Sequence, residues 1–490
     1  MIFRPASCRS CISSLRRVLL GRGSLYSVIS STRKRKPYFM SENASATANL
    51  GPHNLGAARD IVAQVLEEAK RQGASAAEAR LSLSQGLSVD VRLGEVETVE
   101  FHRDRGLGVT VYFGQRKGQA STSDDSPESL RDAVAAACAI ARHTEEDRFA
   151  GLAAPEQLAT DNPDLDLYHP WALTTEQAIE EALRCESVAR DDPRIVNSEG
   201  ASVSTGTSVQ VLGNSAGFLQ GQVGTFHSRG CAVVAGDDNG MQRDHWFDGG
   251  RRADRLASPE QVGEAARRRT LARLGAEVPA TGQLPVLLSP EIAASLLGHF
   301  VSAISGGLLY RRASFLGGRL GERLFPAGID IAERPRLAGG NGSAAFDADG
   351  LPTRNQAFVE DGVLRRYALG LYAARRLDMS PTGNGGGVRN LTISDTGEDQ
   401  AALMRRMGTG VLITEVMGQG VNLVTGDYSR GAAGFWIENG VIQKPLQEFT
   451  IAGNLGEMFA GILGSGTDVD RRGNIASGSL LLAPMKVAGV

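Results

Sequence analysis

The sequence has no long apolar run and little cysteine. The longest uninterrupted apolar stretches, such as residues 480–483 and 231–235, are far shorter than the ~20 residues that a membrane-spanning helix needs. We therefore expect no transmembrane segment and no membrane partner. The chain has 5 cysteines, an odd number that is scattered over 490 residues, which argues against a disulfide framework and favours a reducing compartment, the cytoplasm.

The sequence also lacks a recognisable set of ligands for a catalytic metal. None of its 7 histidines has a second histidine three to five residues away, so the helix motif H-E-x-x-H of zinc enzymes cannot form. His299 follows an apolar helical pattern, where a histidine is more often a packed or capping residue than a ligand. Cys8-x-x-Cys11 has no second pair nearby and is a weak metal or redox candidate.

Other catalytic motifs are equally absent. No G-x-S-x-G nucleophile elbow is present. The glycine clusters at residues 383–387 and 418–420 are not followed by a helix that begins with Lys-Ser or Lys-Thr, as a phosphate-binding loop would be. The simpler interpretation is that these glycines allow bends and close backbone approach. Glu415 and Asp427 lie near Arg430 in sequence, and loop hydrogen bonding is as good an account of them as catalysis.

Glycine is abundant, with 60 residues, about 12% of the chain against a typical ~7%. This excess favours a β-rich architecture with many turns and bulges. The first 39 residues contain nine basic residues and no acid. They fit either a basic leader or a start codon chosen upstream of Met40. Without those nine charges the formal net charge falls from −3 to −12, so an acidic globular part makes nucleic acid an unexpected partner.

Hydrophobic periodicity predicts an α+β protein of several modules. Residues 1–54 are assigned to the leader. Residues 55–150 predict a small α/β sandwich, residues 165–277 a central antiparallel-sheet module, and residues 280–490 a large β-rich C-terminal domain.

Local signals mark the elements within these modules. Ser-Pro pairs at 126–127, 258–259 and 289–290 predict helix starts, and Thr174 with Gln177 forms a capping-box pattern. Cys138 falls on the apolar stripe of a predicted helix and is expected in the core. In the central module we expect short strands over 202–212, 218–226 and 231–235, separated by turns.

The C-terminal half carries a resemblance to a known family. Residues 414–436 read Thr-Glu-Val-Met-Gly-Gln-Gly-Val-Asn-Leu-Val-Thr-Gly-Asp-Tyr-Ser-Arg-Gly-Ala-Ala-Gly-Phe-Trp, which resembles the signature of the TldD/PmbA peptidase family, more narrowly its PmbA (TldE) branch. Supporting segments occur in the same order: residues 310–316 (Tyr-Arg-Arg-Ala-Ser-Phe-Leu), 381–384 (Pro-Thr-Gly-Asn), 450–455 (Thr-Ile-Ala-Gly-Asn-Leu) and 478–481 (Gly-Ser-Leu-Leu).

The resemblance implies proteolysis of small or unfolded peptides, including maturation of peptide antibiotics and degradation of antitoxins, by a TldD–TldE heterodimer. The TldD branch carries H-E-x-x-x-H on a helix and a late cysteine that completes its metal site. Superposing the shared arginine pair places the two histidine positions at Gly298 and Ala303, the glutamate position at His299 and the cysteine near Ser477. Glycine and alanine have no donor atom, and serine is a poor zinc ligand.

We therefore expect a non-catalytic subunit without a cofactor of its own, whose zinc lies in a TldD-type partner. The alternative partner is a second copy, in a homodimer. The residues expected to line the peptide chamber belong to the signature segment: Asn422, Gly426, Asp427, Tyr428, Ser429 and Arg430. Two other functions stay open at this point. One is an independently active metallopeptidase with unrecognised ligands, and the other is a peptide-binding or chaperone module.

Overall fold

The computed structural model describes residues 50–237 and 240–489, and the structural statements below concern these residues. The predictions for the basic leader and for Cys8-x-x-Cys11 fall mainly on residues 1–49, outside the described part. Leu50 is buried in a hydrophobic core and residues Pro52–Asn54 form a 3₁₀ turn. No helix in the described ranges is both long and apolar enough to cross a bilayer.

Nine helices occur in the described residues, and four of them begin at the Ser-Pro and Thr174–Gln177 signals of the sequence. The Oγ of Ser126 accepts a hydrogen bond from the Ser129 amide, and Thr174 and Gln177 cap each other as a capping box. The helices are α1 (Leu55–Arg71), α2 (Pro127–His143), α3 (Thr175–Ala189), α4 (Pro259–Leu271), α5 (Pro290–Ala303), α6 (Gly306–Tyr310), α7 (Leu371–Arg376), α8 (Gln400–Met407) and α9 (Leu455–Ala460).

The strands form three sheets, and the expected α+β class is confirmed. The first sheet contains β1 (Ala76–Arg92), β2 (Glu95–Phe113), β3 (Arg116–Thr122), β4 (Ile195–Asn214), β5 (Leu219–Asp237) and β6 (Gly240–Gly250). The second contains β8 (Ile331–Glu333), β9 (Gln356–Glu360), β10 (Val363–Leu364), β11 (Leu391–Ile393) and β16 (Ile475–Ala476). The third contains β7 (Gly282–Leu288), β12 (Gly410–Met417), β13 (Asp427–Glu438), β14 (Val441–Asn454), β15 (Ile462–Ser465) and β17 (Leu480–Gly489).

The first sheet is antiparallel, with strand order β3-β2-β1-β4-β5-β6. It joins strands from the predicted first and central modules, because β1 pairs with β4 over residues 78–91. Helices α1 and α2 cover one end of one face, and α3 and α4 cover the other end of that face. The alternating residues of β1 give both cores their apolar side chains, and Cys138 of α2 is fully buried as expected. The division into modules stays a prediction.

One strand assignment was wrong. Residues 218–226 and 231–235 were expected to be separate strands, but residues 219–237 form the single strand β5, paired with β4 throughout. Gly230, between the two expected strands, forms no turn and is paired with Ser202 of β4. A Cβ on Gly221 would lie 2.7 Å from the Gln210 carbonyl oxygen, which is too close for a non-bonded contact. Glycine has no Cβ and therefore fits at this position.

The third sheet closes into a barrel. The strands follow the order β14-β13-β12-β7-β17, and β14 then pairs with β17 at residues 449–452 and 486–489. The largest hydrophobic core lies between this barrel, α5 and the second sheet, and it includes Phe300, Phe325 and Phe459. Helix α5 runs beside β7, β12 and β16. One side of α5 also faces the start of β13, where His299 contacts Tyr428. We call this side the β13-facing side of α5.

Candidate functional site

His299 is a polar side chain on the β13-facing side of α5. It lies on α5 between Leu297 and Phe300, which both point into the core. Its ring meets the Tyr428 ring edge to face, with centroids 6.0 Å apart. The Nε2 atom of His299 is buried and has no hydrogen-bond partner among the described residues. A polar atom without a partner at such a position is unusual, because buried polar atoms are normally satisfied.

Tyr428 and Arg430 lie in the first four residues of β13 and face His299. Side chains alternate along a strand, and Tyr428 is buried while its neighbours Asp427 and Ser429 are exposed. Arg430 is partly buried and its Nε donates to the Met417 carbonyl oxygen over 3.2 Å. We call His299, Tyr428 and Arg430 the α5–β13 groove.

The groove favours uncharged forms of its two rings. Burial lowers the pKa of the His299 imidazole below its ordinary value of 6.5, and the guanidinium of Arg430 lowers this pKa further. Burial raises the pKa of the Tyr428 phenol above 10, and Arg430 acts in the opposite direction. At neutral pH His299 is therefore neutral and Tyr428 is protonated.

The positions that the resemblance aligns with metal ligands do not fit a metal. Gly298 and Ala303 offer no donor, and an added Cβ at Gly298 would lie 3.9 Å from Cδ1 of Ile475. This is an ordinary van der Waals distance, so the position lacks a ligand because glycine has no side chain and not because another group fills the space. Ser477 is fully buried and its Oγ donates to the Gly478 carbonyl oxygen over 2.8 Å. Neither imidazole nor thiolate, the donors that zinc prefers, is available from these three positions.

The remaining signature residues form the connection between β12 and β13. Asn422 is held within this connection, because its amide donates to the Asp427 carbonyl oxygen over 2.9 Å and its Oδ1 accepts from the Val424 amide. Gly426 has φ of 83°, a conformation that favours glycine, and its amide donates to the Asn422 carbonyl oxygen. Ser429 is exposed and its amide donates to the Gly420 carbonyl oxygen. The structure thus places Asn422, Asp427 and Ser429 outside the α5–β13 groove.

The two carboxylates near Arg430 in sequence bond to other groups. Oδ2 of Asp427 accepts a hydrogen bond from the Thr425 hydroxyl over 2.6 Å, which is a hydrogen bond within the β12–β13 connection. Glu415 forms an ion pair with Arg273, at 2.5 Å. Asp427 and Arg430 are three positions apart on β13, so their side chains lie on opposite faces of the strand.

Sequence reasoning missed one buried and two partly buried carboxylates, Asp347, Asp349 and Glu78, at the junction of the first sheet and the C-terminal domain. Asp347 is almost fully buried and accepts hydrogen bonds from the amides of Asp349, Leu351 and Gly385. Burial, with the nearby charge of Asp349, raises the pKa of Asp347 to about 6. Burial also raises the pKa of Glu78 on β1. No spacing signal links these residues, because more than 260 positions separate Glu78 from Asp347.

The same junction contains a cavity of about 590 Å³. Glu78, Tyr112, Lys117, Asp349 and Tyr372 are among its lining residues. In the described ranges, no three side chains of His, Cys, Asp or Glu come together in an arrangement that holds a metal ion.

Comparison with known proteins matches three consecutive family models to this chain. They are described as PmbA/TldA metallopeptidase domain 1, central domain and C-terminal domain, and they match residues 77–141, 168–274 and 281–489. The metalloprotease PmbA of Escherichia coli O157:H7 is 46% identical over 84% of this chain and 92% of its own length. A metalloprotease PmbA homolog of Haemophilus influenzae is 44% identical over 91% of this chain and 99% of its own length.

A solved structure shares the fold. The crystal structure of TldE from Thermococcus kodakarensis superposes with a TM-score of 0.78 at 19% identity, covering 88% of this chain and 100% of that chain. The similarity extends over the first sheet as well as the barrel, because it covers nearly all of the described residues.

Proposed function

Because the chain belongs to the PmbA/TldD metallopeptidase family, on its PmbA branch, we propose that it is the non-catalytic subunit of a TldD/TldE-type peptidase. The complex acts on small or unfolded peptides, as in peptide-antibiotic maturation or antitoxin degradation. The observation that carries the proposal is the chemistry of the positions that the resemblance aligns with metal ligands: Gly298 and Ala303 have no donor atom, and the buried Ser477 hydroxyl donates to the Gly478 carbonyl oxygen.

The groove supports a role in shaping the chamber and not in activating water. A metallopeptidase needs a Lewis acid and a carboxylate that moves the proton, and the glutamate position of the catalytic branch holds His299. Burial keeps this imidazole neutral at pH 7, and its Nε2 has no protein partner within the described chain. In the proposal, the partly exposed side chains of His299 and Arg430 contact a peptide that crosses the groove, and the buried Tyr428 ring packs against His299 and holds it in place.

The signature segment acts as a wall and not as a strand edge. Residues 427–430 pair with residues 451–454 of β14 on one side. On the other side, Tyr428 bridges to Val421 and Ser429 bonds to Gly420. Both sides of the strand are occupied, so a peptide would lie across the side chains of this segment and not add a strand to it.

The proposal includes the partner and the location. The partner is a TldD-type chain that carries the zinc, and this chain holds no cofactor. A cytoplasmic location agrees with Cys138, Cys185 and Cys231, which are all free thiols.

The decisive experiment is co-expression with a TldD-type chain from the same source. We expect the two chains to co-purify, and we expect zinc in the complex but not in this chain alone. Cleavage of an unfolded peptide should require both chains. Zinc-dependent cleavage by the isolated chain would replace this proposal with an independently active metallopeptidase.

A second experiment tests the groove within the reconstituted pair. His299→Ala and Arg430→Ala remove the two side chains that contact the peptide in the proposal, and Asp427→Ala tests the exposed side of the same strand. We expect slower peptide turnover for the first two, with Asp427→Ala affected less. Glu438→Ala, at the exposed far end of β13, is the matched control. Unchanged turnover in all variants, with the complex intact, would favour a chaperone module that delivers peptides without contacting the active site.

A further inference from the structure

The outer edge of β2 is open over the first half of the strand. Strand β3 pairs with β2 only at residues 107–113. In the described part of the chain, nothing pairs with the outer side of β2 over residues 95–106. An open edge exposes unpaired backbone donors and acceptors, which are a template for strand addition.

Three apolar side chains lie along this open segment. Val96, Val99 and Phe101 are 45%, 39% and 66% exposed. Each lies directly opposite a buried residue of β1: Val91, Val89 and Leu87 respectively. Opposite residues of an antiparallel pair share a face of the sheet. The exposed residues thus continue onto β2 the apolar surface that α3 covers on β1. On β2 this surface is left exposed to solvent.

The open segment is held in place by a buried carboxylate. The turn between β1 and β2 contains Leu93 and Gly94 with φ of 54° and 83°. Their amides donate to the two carboxylate oxygens of Glu186 on α3, over 2.7 and 2.8 Å, and Glu186 is 1% exposed. The hairpin is therefore fixed before any partner binds, so that less ordering cost remains for association.

The charge order along the segment is self-complementary. Residues 95–100 contain three acidic and no basic residues, whereas residues 101–106 contain two arginines, a histidine and one aspartate. An antiparallel partner of the same sequence places the acidic half of one strand against the basic half of the other. We propose that the open edge of β2 pairs with the same edge of a second copy of this chain, about a two-fold axis at Phe101.

The register follows from the side chains. With Phe101 opposite itself, Glu100 lies opposite His102, and Val99 lies opposite the aliphatic stem of Arg103. Shifting the axis by one residue toward the N-terminus places Glu100 opposite itself, and shifting it the other way places Glu100 opposite Asp104. Like charges directly opposite each other destabilise a strand pair, so these two neighbouring registers are disfavoured.

The pairing is modest in size and independent of the groove. Residues 98–104 of each copy supply less contact than the ~800 Å² per partner of standard interfaces, so the dimer dissociates on dilution. None of the residues in this interface belongs to the α5–β13 groove. Loss of self-association therefore leaves the proposed peptidase role standing, and loss of peptidase assembly leaves this interface standing.

Cysteine cross-linking of the full chain tests the proposal. Phe101→Cys places two thiols across the two-fold axis, where opposite Cα atoms are ~4.5–5.5 Å apart, within reach of a disulfide. Met241→Cys is the control, since Met241 is 73% exposed on β6 at the other edge of the same sheet. We expect mild oxidation to give a covalent dimer of Phe101→Cys alone. Peptide mapping should show a disulfide between the two introduced cysteines, and the unmodified chain controls for native cysteines.

Sedimentation across a concentration series provides the second measurement. We expect Phe101→Glu to raise the dimer dissociation constant about tenfold or more and Met241→Glu to leave it unchanged. Three results would overturn the proposal. One is equal cross-linking of the two cysteine variants, and another is a bond from residue 101 to a native cysteine of the same chain, which places the chain's own N-terminal segment on the edge. The third is a Phe101→Cys thiol that stays accessible to thiol reagents in this chain alone and becomes protected only when a TldD-type chain is added.

Discussion

The first sheet is antiparallel and the C-terminal barrel is mixed, with one parallel pair between β7 and β12, and the two differ in how their edges are paired. The barrel closes on itself through β14 and β17, whereas the first sheet leaves half of β2 unpaired in the described chain. Closure removes strand edges altogether, so the barrel is complete as a single chain. Among the described residues, the open sheet keeps an unpaired edge, at which we propose that a second copy of the chain pairs. The predictions below test how far this contrast extends.

The largest expected effect separates two phenylalanines, one from each region. Phe300 is fully buried and meets the rings of Phe325 and Phe459 at 5.3 and 5.8 Å. Phe300→Ala should lower the free energy of unfolding by about 3–5 kcal/mol, because it leaves a cavity in the core. Phe101→Ala should change that of the monomer by less than about 0.5 kcal/mol. Urea unfolding at low protein concentration measures both. Similar losses would remove the contrast between a closed core and an open edge.

The next largest effect is the pH dependence of the free energy of unfolding that comes from Asp347, at the junction of the two regions. The pKa of Asp347 is raised from 3.8 to about 6 in the fold, so the folded chain binds more protons than the unfolded chain between these values. The contribution of Asp347 to the free energy of unfolding is therefore full below about pH 4 and falls as the pH rises through about 6. The difference is on the order of 2–3 kcal/mol.

Asp347→Asn should remove this part of the pH dependence, because asparagine does not titrate. Unfolding of both proteins in urea at several values between pH 4 and pH 7 measures the difference. As the pH rises, the free energy of unfolding of the variant should increase relative to that of the parent. Parallel curves would show that the junction does not shift the titration of Asp347.

The smallest effect compares helix starts in the two regions. The Ser126 hydroxyl caps α2 of the first sheet, so Ser126→Ala should cost about 1 kcal/mol. Ser289 precedes α5 of the barrel, but its buried Oγ has no partner within the described residues. Ser289→Ala should therefore be neutral or slightly stabilising. Thermal unfolding of both variants decides this, and an equal cost would mean that Ser289 finds a partner in solution.

Local signals predicted much of the fold. Ser126-Pro127, Thr174 with Gln177, and the apolar stripe containing Cys138 depend on neighbours within a few residues, so their physics is visible in the sequence. The single strand β5 was missed because its glycines were interpreted as turns. Gly230 lies instead within the pairing of β5 with β4, and Gly221 allows β4 to approach closely. Both facts depend on a strand that the sequence does not align.

The site was less predictable because its parts are distant in sequence. The family resemblance placed Gly298, Ala303 and Ser477, but the contact of His299 with Tyr428 joins residues that are 129 positions apart. The signature segment alone could not separate Tyr428, which faces the groove, from Asp427, which faces away. Glu186 is a further example, since nothing in its helix indicates that it binds the turn at Leu93 and Gly94.

The contact of Glu186 with that turn has a consequence for the order of folding during synthesis. Strand β1 lies between β2 and β4, and β4 leaves the ribosome about a hundred residues after β2. Domains tend to fold as units during translation, and incomplete units expose strand edges. We therefore expect the β1–β2 hairpin to stay unlocked, with its inner edge open, until α3 and β4 have emerged. The interval between the emergence of residue 113 and that of residue 214 would then be the one in which the nascent chain most needs protection by a chaperone.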